Sequence, residues 1–85
     1  MFFIAVKVPA HRIGEVSRYL YDGQRIVTAP VETEFGGLAV IVELEEGTSE
    51  YRANYLADRF ASGSIVAQVF NSKDEASAYI EREWL

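Results

Sequence analysis

The chain contains no cysteine, a single histidine, two prolines and no long apolar run, and each shortage removes a class of function. Without cysteine there is no disulfide framework, no thiolate zinc site and no thiol nucleophile; the absence also fits a reducing, cytoplasmic setting. The lone His11 rules out a pair of histidines on one metal. No apolar stretch approaches the roughly 20 residues that cross a bilayer. Lys7 interrupts the opening Met-Phe-Phe-Ile-Ala-Val-Lys-Val-Pro too early for a secretory signal, so this segment is expected to be a strand. Basic residues are few as well: eight Lys and Arg against thirteen Asp and Glu give a net charge of −5. The cations are scattered singly. Direct binding to nucleic acid or to an anionic membrane is therefore not expected, whereas an acidic surface suits a partner protein with a basic one.

What is present describes one globular domain over residues 1–85, with a hydrophobic fraction of 49%. Phe2 to Val8 has the apolar character of a strand and is closed by Pro9, which is tolerated at the start of a helix. Ile13, Val16, Ser17 and Leu20 recur at helical spacing until Asp22-Gly23. Arg25 to Phe35 and Leu38 to Glu45 flank Gly36-Gly37, which suits a two-residue hairpin turn. That register sets Phe35, Thr33, Val31 and Ala29 opposite Leu38, Val40, Val42 and Leu44 on one apolar face. The other face then carries Glu32, Glu34, Glu43 and Glu45 around Ala39 and Ile41.

Thr48 is a candidate N-cap for a second helix, whose stripe is Ala53, Leu56, Ala57 and Phe60 and whose stop is Gly63. Ser64 to Phe70 forms a fourth strand, and Ser72-Lys73-Asp74-Glu75 resembles a capping box before a helix with Ala76, Ile80 and Trp84 on one stripe.

This order predicts an α+β fold: a ferredoxin-like βαββαβ core over 1–70, sheet order 4-1-3-2, with a C-terminal helix over 72–85. Pro30 favours an edge position for the second strand, because proline cannot donate to a central ladder. The outer sheet face, with Phe3, Ala5, Lys7, Ala39, Ile41, Val66, Gln68 and Phe70, is too apolar at its centre to stand bare. The last helix, a second copy in a homodimer, or another protein would cover it.

No catalytic, cofactor-binding or metal-binding constellation emerges. His11 is expected to be an exposed helix-start residue rather than a general base, and none of the acidic spacings matches a calcium loop. Gly36-Gly37 lacks the lysine and following helix of a phosphate loop. Residues 11–16, His-Arg-Ile-Gly-Glu-Val, resemble the first-helix start of ACT regulatory domains, departing at Ile13, where that family has proline. The resemblance implies a homo-oligomeric domain that binds an amino acid near Gly14. Small size and acidity also resemble stand-alone inhibitors of the kind phages direct against host machinery. The leading expectation is thus a non-enzymatic inhibitor or regulator occupying a partner's basic surface, in competition with nucleic acid if that surface holds it. Its contact residues would be Glu32, Glu34, Ile41, Glu43, Glu45, Tyr19, Tyr21 and Tyr51.

Overall fold

A computed structural model describes residues 1–85 as a small α+β domain. Its elements are β1 (Phe3–Pro9), a 3-10 turn (Ala10–Arg12), α1 (Ile13–Arg18), β2 (Arg25–Ile26), β3 (Val31–Glu32), β4 (Gly37–Glu43), α2 (Glu50–Phe60), β5 (Val66–Phe70) and α3 (Lys73–Glu83). The five-stranded antiparallel sheet runs β2-β4-β1-β5, with β3 also paired to β4.

Strand alternation divides the core into two layers. Ile4, Val6 and Val8 of β1 and Val40, Val42 and Leu44 point to one face, where they meet Val16, Ala53, Leu56, Ala57, Phe60 and Ile65. Each of the valine, leucine, isoleucine and phenylalanine side chains contributes about 1.5–3 kcal/mol relative to exposure. Ala5, Ala39 and Ile41 point to the other face and are covered by Ala76, Ile80 and Trp84 of the C-terminal segment. The centre of the outer face therefore already carries α3, and only its margin on β5, with Val66 and Gln68, is left exposed for the expected homodimer.

Both longer helices begin at a serine. Ser72 Oγ accepts the Glu75 N–H (3.1 Å), while Glu75 Oε2 accepts from the Asn71 N–H (3.3 Å). The cap of α2 is Ser49, whose Oγ accepts the Arg52 N–H at 3.1 Å, and not Thr48. Thr48 instead donates its hydroxyl to the Glu45 carbonyl at 2.6 Å.

The hairpin departs most from expectation. Val31 lies opposite Ala39 and Glu32 opposite Leu38, three positions away from a Gly36-Gly37 turn. The loop is Glu34-Phe35-Gly36, closed by Thr33 N–H to Gly37 O (2.9 Å) and Gly36 N–H to Thr33 O (3.2 Å). Gly36, at φ +88°, takes the left-handed position of a three-residue hairpin loop. A Cβ on Gly37 would lie 3.1 Å from both Thr33 Oγ1 and the Val8 carbonyl, a tight fit that favours glycine there. An odd offset turns every side chain over: Phe35 leaves the apolar face and stands in solvent.

The second strand is also interrupted. Between the pairs Ile26–Val42 and Val31–Ala39, residues 27–30 face only Val40 and Ile41. Val27 N–H donates to Ile41 O, and the Ile41 N–H turns to Thr28 Oγ1, both at 2.9 Å. The threonine hydroxyl replaces a ladder carbonyl where the chain bulges, and Pro30 is accommodated in that break.

Candidate functional site

The expected contact residues fall on separate parts of the molecule. Glu32 is exposed near the Gly37 end of β4, and Glu34 is exposed in the hairpin loop. Glu43 lies at the other end, where its Oε2 accepts from Arg25 Nε at 2.7 Å. Five residues of strand, about 17 Å, separate the β4 positions that mark these ends. Glu45 continues beyond Glu43, packed beside Gly23. The four carboxylates do not form one strip. Ile41, only 1% exposed beneath α3, cannot touch a partner while that helix is docked.

The tyrosines belong to the α1–α2 layer. Tyr19 packs edge-on against Phe60 with ring centroids 6.4 Å apart. Arg52 lies over both Tyr21 (5.7 Å) and Tyr55 (5.1 Å), and Arg59 lies over Tyr21 (4.9 Å). These cation–π contacts place the protein's own guanidinium groups on part of the rings, and Tyr19 and Tyr21 remain exposed, at 41% and 44%. Tyr51 is 85% exposed.

Arg12 and Glu15 form a bidentate pair at 2.7 and 2.9 Å beside the 3-10 turn. That hydrogen bonding holds the Glu15 carboxyl below the usual glutamate range and raises the Arg12 guanidinium. His11 is exposed on the same turn.

The most distinctive surface is the hairpin tip. Phe35 is 91% exposed, yet its loop is tied at several points. Besides the closing bonds, Thr33 Oγ1 accepts the Gly37 N–H (3.1 Å), and the Trp84 carbonyl accepts the Glu34 N–H (2.8 Å). The result is an apolar ring on a braced loop, flanked by exposed Glu32 and Glu34. Behind it opens a cleft of about 410 Å³, with Lys7, His11, Glu34, Ser64, Glu83 and Trp84 among its lining residues. The Lys7 ammonium lies 5.5 Å from the centre of the Trp84 ring.

A two-residue turn would put Phe35 on the apolar face, and no local sequence signal marks the cleft. The signal for the tip was Thr33 followed by Gly36: a polar residue able to cap the loop, three positions before a glycine free to take positive φ. Nowhere do three or more His, Asp or Glu side chains group so as to hold a metal ion, and no helix is long and apolar enough to cross a membrane. No family model, curated protein or solved structure matches the chain.

Proposed function

We propose that this chain is a non-enzymatic protein-binding module of ferredoxin-like design that docks its hairpin tip on a basic surface of a partner protein. The ferredoxin-like assignment treats β2 and β3 as one second strand broken around Pro30; it is supported by the order β2-β4-β1-β5 and by the α1 and α2 connections. The binding function is carried by one observation: Phe35 is almost wholly exposed on a loop held by four hydrogen bonds. An aromatic side chain on a braced loop loses little backbone freedom on docking, and aromatic anchors commonly dominate interface energies. Glu32 and Glu34 beside it would steer a cationic partner. A partner surface that otherwise holds nucleic acid would be blocked by occupancy, which makes the module an inhibitor.

The test is quantitative capture from the source cell on immobilised wild-type protein, Phe35→Ala, and the double variant Glu32→Lys/Glu34→Lys. A specific partner is expected to be depleted about 30-fold or more by Phe35→Ala, the factor for a hot spot of about 2 kcal/mol. The double reversal is expected to slow association most at low salt. A captured set identical on all three surfaces would remove the tip from the function.

The cleft favours a second reading, as a small-ligand site, though not at Gly14, where the ACT resemblance would put it and which does not line the cleft. Its volume of about 410 Å³ lies in the range of small-molecule pockets. Lys7 offers a cation to a carboxylate, and Glu34 and Glu83 offer acceptors to an ammonium group. This reading expects free amino acids to raise the melting temperature, with about 2.7 kcal/mol of stabilisation at a hundred times the dissociation constant. A screen of amino acids that leaves the melting temperature unmoved would eliminate it.

A further inference from the structure

The two edges of the sheet differ. The β2/β3 edge is broken by the 27–30 bulge and by Pro30, devices that prevent strand addition. The β5 edge has neither. From Phe60 to Ser72 the chain carries no charged residue and no proline, although the protein as a whole is 25% charged.

The hydrogen-bond pattern identifies which β5 groups are free. Leu44 N–H donates to Phe2 O at 3.0 Å, which makes Phe2 opposite Leu44 a hydrogen-bonded pair. By alternation, the even positions of β1 bond to β4 and Phe3, Ala5 and Lys7 bond to β5. Their register partners are Phe70, Gln68 and Val66. The N–H and C=O groups of Ala67 and Val69 therefore point away from the sheet. The flanking outward donors are already engaged, Ile65 N–H with Ser62 O (3.1 Å) and Asn71 N–H with Glu75 Oε2 (3.3 Å). The open edge has defined ends.

We propose that this edge pairs antiparallel with the same edge of a second copy, about a two-fold axis at Gln68. In that register Ala67 bonds to Val69 of the partner subunit and Val69 to Ala67 of the partner subunit, so all four outward groups on each chain are used. Gln68 faces Gln68 of the partner subunit across a non-hydrogen-bonded site, where side chains approach closely. Val66, which is 41% exposed, comes opposite Phe70 of the partner subunit on the α3 side. Every cross-strand pair is thus uncharged, and two chains of net charge −5 meet where neither carries charge. This self-complementarity is what selects a second copy over an unrelated strand; an isologous contact of this kind closes on itself.

The measurement is sedimentation equilibrium from about 1 μM to about 1 mM chain, the affinity range suited to a small interface. Wild type is expected to reach twice the chain mass. Gln68→Lys and Gln68→Glu each place like charges on the axis while leaving the bonds to β1 intact, and each should weaken the dimer about tenfold or more at low salt. An equimolar mixture of the two should restore dimerisation. Ala67→Pro, which removes an outward N–H that β1 does not use, should abolish it. A wild-type protein monomeric up to about 1 mM would overturn the proposal. So would a dimer indifferent to the Gln68 substitutions, or charge variants that fail to complement one another.

Discussion

Trp84→Ala is expected to destabilise the protein by about 3–5 kcal/mol, the usual cost of removing a buried tryptophan ring. In a domain of this size each kcal/mol lowers the melting temperature by about 4–8 °C, so a fall of at least about 12 °C should appear in thermal denaturation followed by circular dichroism. The ring is 6% exposed and belongs to the layer that seals Ala5, Ala39 and Ile41. It meets Tyr79 edge-on at 5.3 Å and supports Lys7 at 5.5 Å. Removing it empties space on a face held by only a few large side chains, and the alanines around it cannot fill the void. A cost below about 1 kcal/mol would mean that α3 is not seated on the sheet.

Ile41→Asp should be comparably severe and should read out as unfolding, not as lost binding. Ile41 pairs with Ala5 across the ladder and lies beneath α3. A short carboxylate there is held out of water beneath α3, and Lys7 on the same sheet face lies over the Trp84 ring, 5.5 Å from its centre. An uncompensated buried charge costs about 3–5 kcal/mol on top of the lost packing, which approaches the whole stability of a small domain. A variant that folds with an unchanged denaturant midpoint would put Ile41 at a surface.

The contrast between Ile41 and Phe35 shows where the sequence was legible. Alternation in β1 and β4 marked the two sheet faces, and the stripes Ala53-Leu56-Ala57-Phe60 and Ala76-Ile80-Trp84 are buried as helical spacing predicts. These signals are local, and each repeats several times along an element. The hairpin register rests on one turn, and two adjacent glycines admit more than one loop length. The loop that formed uses Gly36 for its φ and Gly37 for its closeness to Val8, a division of labour visible only with β1 alongside. With the register three positions away, Phe35 moved to the surface and Glu32 and Glu34 parted from Glu43 and Glu45. The exposure of Tyr19, Tyr21 and Tyr51 follows from their places off the inward stripes, but the stacking of Arg52 and Arg59 on Tyr21 depends on how α1 meets α2 and leaves no periodic trace. Ile41 was misassigned for another reason: its covering helix lies far along the chain, and nothing near it in sequence announces that cover.

The central position of β1 has a consequence for synthesis. Its neighbours on either side, β4 and β5, come much later in the chain, and β5 is the last strand. The first of these strands to be synthesised therefore waits for both of its ladders, and loop-closure entropy must be met before either rewards it. Until Val66 to Phe70 has emerged, Phe3 to Pro9 has an open side, and a strand with four fully buried side chains is the one longest in need of protection.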